Sequence, residues 1–416
     1  MSQYRLKMGQ GKVVTGECFW GREQEKKLFI QRLDDGAHQL LVAQRRMGKT
    51  SLMAEVAALI ADRYVCLFVD LQKCRSAADA IVELSLKVRP YANLWQKTTA
   101  VFENVLGRIT GGVEDIQMGD IGVTLRSGLT AGNWAAKGDQ LLDVLAACER
   151  PVAILFDEVP ILVNRLLRGE DGRITVEGRR QADEFMSWLR SNSIRHQGKI
   201  QFVISGSVGL PPILHQARLS ATINNFVPFE LPPWDDETAK GCLRALATEY
   251  GIKLADGVPD DVVKRLGCCI PHHVQMFFTH LHERCVRRGT TDCDLADVEE
   301  VYKKCMLGIH AHGELMHYEE RLALVLDKGL FALALDMLTQ AAVTGRLTAD
   351  DIKAFQKEHP LDGGNVNEAE KDILYVLEHD GYLKRQPRGY VFVSRLLQDW
   401  WKTRHGQFFT PVLERK

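Results

Sequence analysis

The segment HQLLVAQRRMGKTSLMAEVAALI, residues 38–60, constrains this chain more than any other. A short apolar run leads into a loop ending Gly48-Lys49-Thr50, and an amphipathic helix pattern starts at once. A loop that opens a helix in this way turns backbone N–H groups toward an anion, because the first amides of a helix have no partner inside it and carry the positive end of its dipole. In this setting a lysine reaches the β- and γ-phosphates of a nucleotide and the following hydroxyl ligates magnesium. Gln44, Arg45, Arg46, Met47, Gly48, Lys49, Thr50 and Ser51 are therefore expected to hold the phosphates of ATP, with Thr50 also on Mg2+. Ala43 stands where the GxxxxGK[ST] pattern carries its first glycine, which is sterically tolerable if Ala43 keeps an extended φ. Arg45 and Arg46 read either as surface charge along the sheet edge or as electrostatic support of the phosphates.

A second signal is PVAILFDEVPIL, an apolar strand pattern ending in Asp157 and Glu158. Two carboxylates at the end of a buried strand are costly unless they face a ligand. Asp157 suits magnesium held through water, and Glu158 suits orienting and deprotonating an attacking water. The third signal is IQFVISGSVGL, another buried strand ending in Ser205, Gly206 and Ser207. In P-loop ATPases with an extra strand between the phosphate loop and the acidic strand, a polar residue here senses the γ-phosphate or the water. Ser205 or Ser207 can do so, and either can equally cap the next turn.

These motifs sit in an α/β pattern. Strands are expected at 38–43, 65–70, 152–157, 200–205 and 225–230, separated by helical stretches, as in a parallel sheet buried on both faces. Between helices at 93–106 and 138–149, alternation of Ile116, Met118, Ile121, Val123 and Leu125 around Gly119–Asp120 suggests a β-hairpin, packed on its own domain or offered to a neighbouring subunit. After LPPW at 231–234 the pattern turns helical, beginning at the acidic stretch Asp235–Thr238. From about residue 315, helices precede DGYLKR, a turn at 386–389 and YVFVSR, the order of a winged helix. The division expected is a P-loop core over 1–230, a helical lid over 231–308 and a winged-helix domain over 309–416.

Composition adds limits. The net charge of -1 and 45% hydrophobic residues describe a globular chain whose global charge names no partner. The sequence carries neither a secretory signal pattern nor an apolar run long enough to span a bilayer, so a cytoplasmic protein without membrane contact is expected. The ten cysteines are scattered without a CxxC pair and read as reduced, buried thiols. Cys268, Cys269, His272 and His273, with His280, His282 and Cys285 following, lack recognised zinc spacing; a packed helix is the plainer reading of that segment.

GREQEKKLFIQRL followed by QLLVAQRRMGKTSL resembles the start of the archaeal-type and STAND-like AAA+ ATPases, with their GRE box and RRxGKTSL loop. LFDEVPIL, FVISGSVGL and YVFVSRLLQDWW resemble the same family's acidic strand, sensor strand and C-terminal winged helix, so the likeness runs over nearly the whole chain. It implies that Gly21, Arg22 and Glu23 lie by the adenine and ribose, and that Pro271 is the lid proline against the base. These ATPases also resemble origin-recognition initiators and regulators of DNA transposition.

The expected function is an ATP-binding, slowly hydrolysing regulatory switch that works as a possible homo-oligomer or with a protein partner. The alternative is a loader or initiator that touches DNA. The helix before the wing is acidic on its polar face, through Glu368, Glu370, Asp372, Glu378 and Asp380 against Lys371 alone, whereas the wing is basic through Lys384, Arg385 and Arg388. That charge distribution favours non-specific over sequence-specific contact. An arginine supplied in trans is expected to complete the site. The resemblance places it at Arg218; Arg190 and Arg195 are the other candidates, and each also reads as an ordinary helix-end cation.

Overall fold

The aliphatic, β-branched runs become five parallel strands: β1 (Gln39–Val42), β2 (Val65–Asp70), β3 (Val152–Asp157), β4 (Ile200–Ile204) and β5 (Val227–Glu230). The structure is a computed structural model that describes residues 6–9, 11–103, 118–358 and 366–415. The strand order is β2-β3-β4-β1-β5, so β4 lies between the strand that feeds the phosphate loop and the acidic strand. All neighbouring pairs are parallel, with Val152 opposite Ile200 and Gln39 opposite both Val203 and Val227. Parallel strands put all their carboxyl ends on one edge of the sheet, where ligands of open α/β sheets bind. β3 and β4 are buried along their whole length, as two-sided burial predicts. The outer strands depart from that expectation: β2 alternates, and three of the four residues of β5 are exposed, because each outermost strand has a neighbour on one side only.

These strands belong to one of two compact units, made of Glu23–Val42 and Leu52–Glu230. His38 shows how local chemistry fixes the sheet. Its Nδ1 accepts from Phe202 N at 3.1 Å, so Nε2 carries the proton and donates to Ser193 O at 2.9 Å. Burial lowers the pKa of the ring, which keeps it neutral for this role. The Val176–Arg195 helix buries Ala182, Phe185, Met186 and Leu189, an i, i+3, i+4, i+7 stripe worth about 1.5–3 kcal/mol per large side chain.

The hairpin expected around Gly119–Asp120 is not formed in the described residues: Met118–Gly128 is a helix. The same letters that alternate also contain Ile121, Leu125 and Leu129 at helical i, i+4 spacing. Leu125 and Leu129 are buried while Val123 is 65% exposed. Arg126 then pairs with Asp79 at 3.8 Å and with Glu83, both on the Ala77–Lys87 helix. Ile116 lies outside the described residues.

The second unit draws on the chain up to Arg22, on Ala43–Ser51 and on the chain from Leu231 onward. Its helices Asp236–Glu249, Val258–Leu266, Pro271–Arg288 and Leu295–Val301 are joined by the two-residue strands β6 (Lys253–Leu254) and β7 (Asp292–Cys293). Asp235 caps the first helix by accepting from Thr238 N at 2.7 Å, and Asp236 and Glu237 follow in its first turn. The N-terminal strap lies on these helices: Met8 N donates to Tyr250 Oη at 3.1 Å and Gly9 N to Gln275 Oε1 at 2.9 Å.

Helices Ile309–Val325, Lys328–Thr344, Ala349–Glu358 and Val366–His379 lead to the antiparallel strands β8 (Leu383–Gln386) and β9 (Gly389–Phe392), and Arg395–His405 follows. Leu347 bridges to Tyr390 through two 2.9 Å backbone bonds, adding a third rung beside the hairpin. Trp400 and Trp401 are fully buried, and Trp401 Nε1 donates to Thr339 Oγ1 at 3.2 Å. Among the described residues, no helix is long and apolar enough to cross a membrane.

Candidate nucleotide-binding site

The phosphate loop follows β1 without a gap, and the helix after it starts at Lys49. Gly48 has φ +86, a conformation open to glycine and strained for other residues, which explains its place before the lysine. Ala43 is not among the left-handed residues, so its methyl group meets no backbone penalty where the usual pattern has glycine. Met47 is buried and anchors the loop. Lys49 Nζ folds back over the loop and donates to Ala43 O at 2.8 Å and Gln44 O at 2.9 Å. Thr50 is the second residue of the helix, and Ser51 Oγ accepts from Val14 N at 3.1 Å, which ties the strap to the helix start.

Arg46 also has a left-handed backbone, with φ 68, and its Nη2 lies 2.6 Å from Glu314 Oε2. Glu314 also receives His272 Nε2 at 3.1 Å. Burial lowers the His272 pKa and keeps the ring neutral, so Nε2–H is the donor, because an ionised carboxylate can only accept. The hydrogen bond from His272, reinforced by the Arg46 charge, holds the Glu314 carboxyl down to about 2. Pro271 is buried at the first position of the Pro271–Arg288 helix, directly before His272. Gly21 and Arg22 are left-handed as well, with φ 67 and φ 69; a Cβ on Gly21 would stand 3.2 Å from Thr238 Cγ2. Trp20 Nε1 donates to Thr238 O at 3.0 Å, so this turn sits on the Asp236–Glu249 helix, while Glu23 starts the next helix and pairs with Lys26 at 2.9 Å.

In the sheet unit the carboxyl ends of β3 and β4 are stitched together around the acidic pair. Ser205 N donates to Phe156 O at 2.8 Å and Val159 N to Ser205 O at 3.2 Å. Asp157 is buried, and its Oδ1 accepts from Glu158 N at 3.1 Å. Glu158 is left-handed, with φ 61, as the N-cap of the Val159–Leu167 helix. Its Oε2 accepts from both Ser207 N at 3.0 Å and Ser207 Oγ at 2.9 Å. Ser207 is thus the serine that reaches the acidic pair, whereas the Ser205 hydroxyl is buried without a partner among the described residues. Gly206 makes this approach possible, since a Cβ there would lie 2.4 Å from Pro160 Cδ.

The three arginines differ. Arg195 pairs with Asp143 at 2.8 Å, and Arg190 is an exposed residue on the same helix. Arg218 is exposed and left-handed, with φ 57, just past the Leu210–Gln216 helix. The cysteine and histidine stretch at 268–285 forms no metal cluster: among the described residues no group of three or more His, Cys, Asp or Glu is placed to hold an ion. The sequence reading missed Glu314, which no motif marks; its role depends on contacts across 268 residues to Arg46 and 42 to His272.

A parallel sheet in this order, a GKT loop leaving β1 and an Asp-Glu pair ending β3 define a P-loop nucleotide-binding fold. No protein-family model matches the sequence, and no curated protein matches it. Solved structures do share the fold. A Walker-type ATPase of Pyrococcus abyssi superposes with a TM-score of 0.60 at 15% identity, covering 95% of this chain and 100% of that one. The ORC2 protein of Aeropyrum pernix gives 0.51 at 13% identity, over 92% of this chain and 95% of that one.

Proposed function

We propose that this protein is an ATP-binding, slowly hydrolysing, magnesium-dependent switch whose nucleotide state governs the position of its lid and C-terminal helices. One observation carries the reading. Among the described residues, the non-glycine residues held in left-handed backbone are Arg22, Arg46, Glu158 and Arg218. Each lies in a motif that nucleotide chemistry needs: the GRE turn, the phosphate loop, the acidic strand end and the finger position. Left-handed backbone costs a non-glycine residue about 1–3 kcal/mol and persists where surrounding structure over-determines it, chiefly at functional sites.

In this reading Lys49 neutralises the β- and γ-phosphates, with Gln44–Ser51 supplying loop amides. Gly21, Arg22 and Glu23 lie by the adenine and ribose, and Pro271 packs on the base. Thr50 and Asp157 suit magnesium, which takes few protein oxygens and completes its shell with phosphates and water. The burial of Asp157 at a strand end fits that assignment, since an unused carboxylate is costly there. Magnesium, when bound, neutralises charge on the transferring phosphoryl group. Glu158 orients and deprotonates the attacking water, and Ser207 fixes its carboxylate.

Arg218 is exposed at a left-handed turn, which suits a cation offered to a second copy of the chain. ATPase activity per molecule is then expected to rise with protein concentration, and Arg218→Ala to flatten the rise while ATP binding persists. Mixing Arg218→Ala with Glu158→Gln subunits restores activity, because the latter still donate an arginine to intact sites. Turnover independent of concentration, or no rescue, rejects the trans assignment.

A DNA-associated loader is the second reading, favoured by one observation: Lys384, Arg385 and Arg388 are all exposed on the β8–β9 hairpin. Such a hairpin contacts phosphates without reading bases. Duplex binding is expected to be weak and indifferent to sequence. Removing the three charges should reduce the salt slope by up to about 0.9 per lost phosphate contact. A tight, sequence-selective footprint, or a slope the triple variant leaves unchanged, excludes this contact.

A further inference from the structure

The phosphate loop is held by its own unit at two points. Gln44 is packed so closely under the turn after the Val366–His379 helix that a Cβ on Gly381 would stand 1.9 Å from Gln44 Cδ. Arg46 pairs with Glu314 at 2.6 Å, and that carboxylate is fastened in turn by His272 at 3.1 Å. The Arg46 pairing is incomplete. Its Nε is buried and has no hydrogen-bond partner among the described residues, so only part of the guanidinium fork is used. A buried, unsatisfied donor on a cation is costly, and a phosphate group offers the geometry that fills a fork through two parallel bonds. Glu314 does not do so here: it meets Arg46 through Oε2 alone, the same oxygen that accepts from His272.

We propose that Glu314 is an internal competitor for nucleotide phosphate: it occupies Arg46 in the resting protein, ATP takes Arg46 from it, and the exchange frees the Ile309–Val325 helix from the phosphate loop. The proposal rests on the ATP-binding reading given above. Two anions compete for one guanidinium. The carboxylate that loses keeps the His272 hydrogen bond and stays satisfied, which makes the exchange cheap on its side. Because the competitor sits on the first helix of the C-terminal segment, occupancy of the loop is converted into freedom of that helix. A ligand shifts such an equilibrium only by its differential affinity for the two states, and here the difference is the Arg46 contact. The arrangement lowers apparent ATP affinity by the fraction of molecules in which Arg46 is available.

The test uses the full-length chain with Mg-ATP, reading affinity by calorimetry and helix opening by hydrogen exchange over residues 313–325. Glu314→Gln keeps the shape and an acceptor for His272 but removes the charge. It is expected to bind ATP roughly three- to tenfold more tightly. Without nucleotide its 313–325 segment should exchange as fast as that of the ATP-bound parent. In an Arg46→Ala background, Glu314→Gln should change affinity by less than about twofold, because the contested cation is gone. Should Glu314→Gln fail to fold, Glu314→Asp carries the same expectation, its shorter side chain weakening the reach to Arg46. ATP bound equally well, or less well, by folded Glu314→Gln overturns the competitor role and leaves the ATP reading standing. A parent protein that binds no ATP at millimolar concentration overturns the ATP reading and the competitor role with it.

Discussion

Lys49→Ala is expected to weaken ATP binding about 10- to 100-fold, the loss of one charge-assisted contact worth ~1.5–3 kcal/mol. The reason lies in where the ammonium group rests. Its Nζ is held by Ala43 O and Gln44 O, two carbonyls of the loop itself, so it is already positioned over the turn that would cradle the phosphates. The substitution also removes the donor to those carbonyls, with a stability cost of about 0.5–1.5 kcal/mol for each bond lost. That is small beside the stability of a chain of this size, so native circular dichroism should be preserved. Calorimetric titration with Mg-ATP checks the prediction. An affinity within about twofold of the parent rejects Lys49 as the phosphate lysine and, with it, the loop assignment.

Glu158→Gln is expected to bind ATP as the parent does and to hydrolyse it about 10²- to 10⁴-fold more slowly, the range typical of losing a general base. The structure makes this substitution unusually clean. Glu158 Oε2 only accepts, from Ser207 N and Ser207 Oγ, and a glutamine carbonyl oxygen can accept both bonds in the same place. The left-handed N-cap and the contact between Gly206 and Pro160 are untouched, so the difference between the two proteins is the capacity to take a proton from water. Single-turnover hydrolysis beside equilibrium binding separates the two effects. Parent-like hydrolysis by the variant removes Glu158 from the chemistry, whereas a parallel fall in binding assigns it to holding the nucleotide instead.

The strained positions also bear on how these effects combine. Arg46 and Glu158 both have left-handed backbones, and each side chain is tied to a neighbour, Glu314 in one case and Ser207 in the other. Because these residues touch, the effects of variants at Glu314 or Ser207 should not add simply with those of substitutions at Arg46 or Glu158.

Much of this molecule is decided by local sequence. VCLFV and VAILF are apolar throughout, IQFVI carries one polar residue, Gln201, and runs of that kind between helical stretches have few solutions other than strands of a parallel sheet. The GKT loop, the Asp-Glu strand end and the Asp235 cap likewise depend on residues next to one another in the chain, so their places at a helix start, a strand end and a helix cap are legible in the sequence. The 116–125 region shows where that stops. Ile121, Val123 and Leu125 satisfy a strand period, while Ile121, Leu125 and Leu129 satisfy a helix period. Only the burial of Leu125 and Leu129 and the pairing of Arg126 with Asp79 and Glu83 selected the helix. Left-handed backbone at Arg22, Arg46, Glu158 and Arg218 has no sequence signature, because those residue types ordinarily avoid it and are held there by the folded surroundings. The Arg46, Glu314 and His272 cluster joins three distant segments by two hydrogen bonds. Its members carry no shared motif or period. Their meeting follows from tertiary packing alone.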